Sequence, residues 1–393
     1  MPAVRKIVIA PTAFKGSLDP VQCAHAMERG ARRSLPNAET VVLPLADGGD
    51  GMLRCLAQAG ACELRWHRVH DALARPKEAP YGVSPDGQTC FIEMAQICGL
   101  AELRPEEREP RRTTTLGVGE MVAHALRQDV RRLVIGLGGS ATNDGGSGAL
   151  VALGWQLLDR QGNAVTLGNA GLAQVHRVVP APCQQEHIEV VLAADVRNPL
   201  LGRHGATMVF APQKGATAQL LPEMERAMRR WAVVVHRAIG RKISRIPGTG
   251  AAGGLAFGLL AHFPQAQITS GADFVMQAVG FEQALQGADL VLTGEGRVDE
   301  TTLHGKLLFR VLHTAHKHGI PIAIVCGDFV GDRSALVQYG ALVCETLVSA
   351  KVSPEEAMWR AEQMVEENTA KLLRRLNRLL DSRPCRRNLA FPA

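Results

Sequence analysis

Lys6-Ile7-Val8-Ile9-Ala10 is followed at once by Pro11-Thr12-Ala13-Phe14-Lys15-Gly16-Ser17. The first five residues are short, continuous and β-branched, which is the pattern of a strand buried on both faces. The next seven turn and place a lysine near the start of a helical pattern that runs from Val21 to Leu35. Val134-Ile135-Gly136, Val190 to Ala194, Leu290 to Leu292 and Ile320 to Val325 repeat the strand signal, with helical patterns such as Gly119 to Gln128 between them. Strands alternating with helices predict an α/β fold with mainly parallel sheets. In such sheets ligands gather at the carboxyl ends of the strands, so the loops after them are where chemistry is expected.

Asp71 to Arg112 departs from this pattern, with Pro76, Pro80, Pro85, Pro105 and Pro110 around a short strand at Thr89 to Met94. A change of domain is expected here and a second near Gly280 to Gly287. The chain is therefore read as residues 1–72 plus 286–381 forming one discontinuous domain, 73–285 an inserted second one, and 382–393 a basic tail. Ser353-Pro354-Glu355-Glu356 reads as a capping box opening the last helix, with Met358, Ala361, Val365, Leu372, Leu376 and Leu379 as its apolar stripe.

Composition removes several classes of function. With 393 residues, 46% hydrophobic and 21% charged, the chain has the make-up of a soluble globular protein of two or three domains. Aromatics are 4%, too few for a stacking platform on single-stranded nucleic acid. The net charge of +6 resides wholly beyond residue 370, where Lys371, Arg374, Arg375, Arg378, Arg383, Arg386 and Arg387 face only Asp381. The body is neutral, so no nucleic-acid footprint is expected. Nine scattered cysteines without CxxC or zinc spacing fit reduced thiols in a cytoplasmic setting. No apolar run reaches 18 residues, and the N-terminal one is too short for a signal peptide, so no membrane partner is expected.

Five loops combine glycine, charge and a post-strand position. The first is the Lys15 turn, suited to a phosphate or carboxylate at a helix N-terminus. The second, Ala46-Asp47-Gly48-Gly49-Asp50-Gly51, sets carboxylates among glycines, a donor set that Mg²⁺ takes together with substrate oxygens. The third runs from Gly136 to Gly148 through Gly138, Gly139, Ser140, Asn143, Asp144 and Gly145, with six glycines in thirteen residues. That much backbone freedom costs entropy, so closely approaching phosphates are the expected reason for it. The fourth is Asp195-Val196-Arg197-Asn198-Pro199, with Lys214 and Gly250-Ala251-Ala252-Gly253-Gly254 later in the same region. The fifth is Gly294-Glu295-Gly296-Arg297-Val298-Asp299, followed by Thr302-Leu303-His304-Gly305-Lys306, a charge pattern for a polyphosphate and its metal. No Walker A, protein-kinase set or G-x-S-x-G elbow is present. Gly136-x-Gly138-x-x-Ala141 leaves an NAD(P)-dependent oxidoreductase open as an alternative.

Taken together and in order, these segments resemble the bacterial glycerate kinases of the galactarate and glyoxylate pathways. The resemblance rests on Phe14-Lys15-Gly16-Ser17-Leu18, Pro44 to Gly49, Glu93-Met94-Ala95, Thr115 to Glu120, Gly138 to Gly146, Asp195 to Leu200, Pro212-Gln213-Lys214-Gly215, Gly250 to Gly254, Thr293 to Asp299 and Thr302 to Lys306. It implies two α/β domains, one Rossmann-like and built from both chain ends, the other inserted, with the active site in the cleft between them. It implies ATP-dependent, Mg²⁺-dependent phosphorylation of D-glycerate, with 2-phosphoglycerate the usual product and 3-phosphoglycerate found among relatives. On that basis Asp195, Lys15, Asp47 and Arg297 are the expected catalytic residues, with Asp47 and Asp195 holding the metal. Gly48, Gly49, Gly138, Gly139, Ser140, Asn143, Asp144, Gly145, Asn198, Lys214, Gly253, Gly254, Glu295, Asp299 and Lys306 are the expected substrate and ATP contacts. The expected partners are the two small-molecule substrates and a second copy of the chain. One departure stands out: Thr12-Ala13 replaces the family's usual Asp-Ser and removes a carboxylate at a strand end, which keeps a non-catalytic glycerate- or ATP-binding sensor as another alternative.

Overall fold

In the computed structural model, which describes residues 4–182, 187–299, 302, 306–332 and 334–381, Lys6–Ile9 is an inner strand of a five-stranded, wholly parallel sheet. Its neighbours are Leu290–Thr293 on one side and Glu39–Val42 on the other. Ile322–Cys326 and Ala341–Thr346 extend the sheet beyond Leu290–Thr293. Both ends of the chain thus contribute to one sheet. The helix Pro20–Ser34 starts where the sequence directs it. Asp19 accepts the Gln22 N–H at 2.9 Å, Gln22 returns a carbonyl oxygen to the Asp19 N–H, and Pro20 occupies the first turn. This helix packs on Ala361–Asp381 closely enough that a Cβ on Gly30 would stand 2.4 Å from the Glu366 carbonyl oxygen. Arg29 and Arg33 both pair with Glu366 along that seam.

The final helical segment differs from the expected single helix. Pro354–Trp359 ends at Arg360, and a second helix runs over Ala361–Asp381. Ser353 caps the first by accepting the Glu356 N–H at 3.2 Å. Ala361, Val365, Leu372 and Leu376 are buried as the stripe predicts, but Met358 is half-exposed because it lies before the break. Within the basic segment, Lys371 and Arg375 pair with Glu345. Residues 382–393, and with them the expected tail, lie outside the described residues, as do Cys183, Glu300, Thr301, Leu303, His304 and Gly305.

A second sheet has six strands in the order Gln267–Thr269, Glu189–Ala193, Arg132–Gly136, Thr89–Glu93, Pro76–Val83 and Glu63–His70. The first four are parallel; the last two add antiparallel. The antiparallel pair of Glu63–His70 and Pro76–Val83 straddles Asp71, where the sequence reading began the proline-rich stretch and expected a change of domain. Its prolines are accommodated because pairing to Thr89–Glu93 involves only Gly82 and Val83, leaving Pro76 and Pro80 outside that ladder. The helix that runs on from Leu255 to His262, after left-handed turns at Ala252, Gly253 and Gly254, is buried on every side, and Leu221–Ile239 buries one face around Trp231.

The chain divides into two compact units. One comprises residues 1–46, 54–61 and 272–393, the other 47–53 and 62–271. The sequence reading placed the changes at 72/73 and 285/286. The Glu63–His70 strand belongs to the six-stranded sheet, which sets the earlier boundary. Each unit has its own apolar core, the first around Ile7, Ile9, Leu292 and Val325, the second around Ile135, Leu192, Trp231 and Phe257.

Candidate active site

In the first unit, the loops after Lys6–Ile9 and Leu290–Thr293 lie side by side at the carboxyl end of the sheet. The Thr12 N–H donates to the Gly294 carbonyl at 2.9 Å, and Thr12 Oγ1 turns to the same oxygen. Thr12 therefore ties these two loops together. Gly296 sits against the backbone of Phe14 and Lys15. Glu295 accepts the Thr302 hydroxyl at 2.7 Å, and Lys306 lies 3.6 Å from Asp299. Burial pushes the Glu295 carboxyl up, while Lys306 and Lys15 pull it down. Lys15 and Arg297 are exposed. Lys15, Glu295, Asp299 and Lys306 thus form one mixed-charge cluster.

In the second unit, the segment 47–53 lies across the carboxyl ends of the central strands. The Gly138 N–H donates to the Gly48 carbonyl at 3.1 Å, and a Cβ on Gly48 would stand 3.0 Å from the Ala193 carbonyl oxygen. Gly271 approaches the Asp47 carbonyl, and its neighbour Ser270 donates to Asp195 at 2.7 Å. The side chains of Asp47 and Asp195 are exposed on these adjoining loops. Asp47 accepts the Gly49 N–H at 3.2 Å, which fixes its rotamer. Two exposed carboxylates on neighbouring strand-end loops suit Mg²⁺, which takes one or two carboxylates and completes its shell with water and substrate oxygens. Among the described residues no group of three or more His, Cys, Asp or Glu side chains is placed to hold a metal on its own.

The glycine-rich stretch has a different explanation from the one its composition suggests. A Cβ added to any of its six glycines would come within 3.0 Å of another part of the chain. Gly138 packs on Gly49, Gly145 on Trp231, Gly146 on Gly258 and Gly148 on Thr114. Gly253, with φ +62°, would drive a Cβ to 1.9 Å from the Thr142 carbonyl oxygen, and its own carbonyl accepts the Gly145 N–H. The two glycine loops are therefore a backbone-on-backbone interlock, and close chain packing alone accounts for their glycines. The helix after Gly136-x-Gly138-x-x-Ala141 begins only at Ser147, so the stretch lacks the immediate strand-turn-helix of a dinucleotide fingerprint.

Inside this interlock Asp144 is fully buried. It accepts the N–H groups of Thr115, Gly146 and Gly148 and the Thr115 hydroxyl, at 2.9–3.1 Å. Burial pushes its carboxyl up, and these donors hold it down. Asn143, also buried, donates to Thr207. Both are expected substrate contacts; in the structure Asp144 ties the loop to itself and to Thr115, and Asn143 ties it to Thr207. Asn198 donates to the His204 carbonyl at 2.8 Å and steadies the Asp195 loop.

Two further groups draw the eye. Lys214 is buried, and its Nζ lies 2.8 Å from Ser140 Oγ and 2.7 Å from the Thr142 carbonyl. Desolvation pulls the amine down to about 7, against the pull of Asp144. Glu93, at the end of the Thr89–Glu93 strand, is fully buried and accepts the N–H groups of Gly51 and Leu53 at 2.9 and 2.8 Å. It fixes the segment that carries Asp47, and burial raises it to about 7. Sequence reasoning quoted Glu93 and gave it no role; its signal was a lone acid closing an apolar strand.

With the geometry in place, comparison with known proteins assigns the chain. A family profile described as the glycerate kinase family matches residues 7–377, through both units. The protein belongs to the glycerate kinase family. A glycerate kinase of Halalkalibacterium halodurans is 38% identical over 92% of this chain and 95% of that one. A glycerate 2-kinase of Escherichia coli K12 is 37% identical over 85% of this chain and 88% of its own length. A crystal structure from Salmonella typhimurium LT2 superposes with a TM-score of 0.81 at 36% identity, covering 96% of this chain and all of the other. Among the described residues no helix is long and apolar enough to cross a membrane.

Proposed function

We propose that this glycerate kinase family member transfers the γ-phosphoryl group of ATP to D-glycerate, with Mg²⁺, and yields 2-phosphoglycerate. The observation that carries this is the match to the Escherichia coli glycerate 2-kinase across most of both chains. The exposed carboxylates of Asp47 and Asp195 and the cationic groups at strand ends support it. Phosphoryl transfer asks little covalent chemistry of a protein; it asks for in-line positioning and neutralised charge. The Gly138–Gly145 and Gly253–Gly254 interlock, packed on itself, would hold Ser140 and Lys214 rigidly beneath the ATP phosphates. Mg²⁺, held by Asp47 with Asp195, would offset the charge on the phosphate oxygens. On the first unit, Lys15 and Arg297 are the cations offered to the glycerate carboxylate, with Glu295, Asp299 and Lys306 as further substrate contacts. Asp195 orients the glycerate hydroxyl and accepts its proton.

A ³¹P NMR time course with D-glycerate, Mg²⁺ and ATP tests this. A new phosphomonoester signal is expected, split into a doublet by the single CH–O–P proton. A triplet from CH₂–O–P would move the product to 3-phosphoglycerate. Unchanged ATP beside an active Escherichia coli relative would overturn the catalytic reading and leave the sensor.

A further inference from the structure

Buried lysines ordinarily sit beside a carboxylate, because an ammonium without a counter-ion is costly away from water. Lys214 does not follow that rule: among the described residues no carboxylate lies within ion-pair distance of its Nζ. Its two close neighbours are a carbonyl, which can only accept, and a serine hydroxyl, which can accept or donate. As an ammonium Lys214 donates to both Ser140 Oγ and Thr142 O; as a free amine it keeps the bond to Thr142 O and takes the Ser140 hydroxyl hydrogen on its lone pair across the same 2.8 Å. This is the arrangement of a serine nucleophile with a lysine base.

The pair is held rigidly. Ser140 forms a backbone bridge with Gly99, and the N–H of the next residue, Ala141, donates to the Cys98 carbonyl at 2.9 Å. Thr113 donates to the Ala141 carbonyl at 3.0 Å. On the lysine side, Pro212–Lys214 is a single 3₁₀ turn closed by Gly215, whose φ of +102° and 2.0 Å Cβ clearance to the Arg108 carbonyl oxygen admit only glycine. Burial has drawn the amine down to about 7, so near neutral pH a large share of it is the free base that such a step needs.

We propose that Ser140 is a covalent phosphoryl acceptor with Lys214 as its base. This rests on the ATP-dependent reading above and goes past it, since that reading requires only direct transfer. In the first half, Ser140 Oγ attacks the γ-phosphorus, the bond from that phosphorus to the β,γ-bridging oxygen breaks, and ADP leaves with the electron pair. The Ser140 proton passes to Lys214. The lysinium then has beside it the anion it lacked, a phosphoserine. In the second half, the glycerate hydroxyl attacks the phosphoserine phosphorus and gives its proton to Asp195. Ser140 Oγ leaves and recovers its proton from Lys214.

The test uses the intact protein with [γ-³²P]ATP and Mg²⁺ and no glycerate, acid-quenched and peptide-mapped, beside ADP–ATP exchange and the glycerate assay. Label on Ser140 and exchange without glycerate are expected. Ser140→Ala should abolish the label and slow exchange at least 100-fold. Lys214→Arg, which keeps a cation and removes the base, should slow labelling as much as Lys214→Met. The wild-type result stands even if a lysine variant does not fold. Glycerate turnover with neither label nor exchange, or label on another residue, overturns the proposal. Label on Ser140 without glycerate turnover upholds the pair and overturns the glycerate reading. Absence of label, exchange and turnover overturns both.

Discussion

Asp144 and Asp195 occupy the same kind of place. Each follows an inner strand of the six-stranded sheet, and those two strands, Arg132–Gly136 and Glu189–Ala193, are parallel neighbours. Their surroundings are opposite. Asp144 is enclosed and surrounded by donors of its own chain, whereas Asp195 is exposed with Ser270 beside it. Position at a strand end therefore does not decide whether a carboxylate serves the fold or the chemistry. The count of chain donors does: an acid that closes a loop has no oxygen to spare for a ligand.

That contrast is broken most severely by Asp144→Ala. It strands three buried N–H groups and a hydroxyl and should cost about 3–5 kcal/mol of stability, read as a fall in the urea midpoint. If the variant melts like wild type, the enclosed role is wrong. Asp195→Ala should do the reverse, lowering kcat about 10²–10³-fold while stability stays within about 0.5 kcal/mol of wild type. A glycine pair carries the same contrast into the backbone. Gly253→Ala, meeting Thr142 O, should cost about 3 kcal/mol, measured by denaturant unfolding.

The next effect is a pH dependence. Glu93 is raised to about 7 in the folded protein from an ordinary 4.5. Between those values the folded state holds a proton that the unfolded state has released. Its contribution to stability is whole below about 4.5 and is lost as pH rises through 7, by up to about 3 kcal/mol. Wild type should therefore lose stability relative to Glu93→Gln across that window, followed by melting temperature at a series of pH values. Lys214, pulled down to about 7, acts with the opposite slope at higher pH, because above 7 the unfolded state holds the extra proton. The smallest effect is expected at Gly202, beyond the Asp195 loop. Its φ is +93° but nothing lies within 4 Å of an added Cβ, so Gly202→Ala should cost only about 1 kcal/mol in the same unfolding measurement.

The parallel strands were legible because both their faces are buried and their residues run as unbroken β-branched stretches. The Glu63–Val83 hairpin was not, since Glu63–His70 is largely exposed and mixes charge with apolar residues. The strand-end loops could be located from sequence, and Lys15, Asp47, Asp195 and Glu295 all lie on loops that follow strands. What sequence could not reveal was the use of each glycine. Gly138 needs its missing side chain because of Gly49, and Gly253 because of Thr142, residues about 90 and 110 positions away, and only the fold brings them together. Lys214 and Ser140 illustrate the same limit: neither reads as half of a pair until burial places them in contact.

The division of the chain has a consequence for its synthesis. Lys6–Ile9 is made well before its partner Leu290–Thr293, which lies some 280 residues further along the chain. At ordinary elongation rates of about 5–20 residues per second, the earlier strand waits roughly 15–55 seconds for its inner neighbour. The six-stranded sheet, complete once Gln267–Thr269 has emerged, can assemble in the interval. Glu39–Val42 can cover one edge of Lys6–Ile9 soon after it is made, but the other edge stays open for that time, and Ile7, Val8 and Ile9 are a half-sheltered sticky strand that a holdase would have reason to cover.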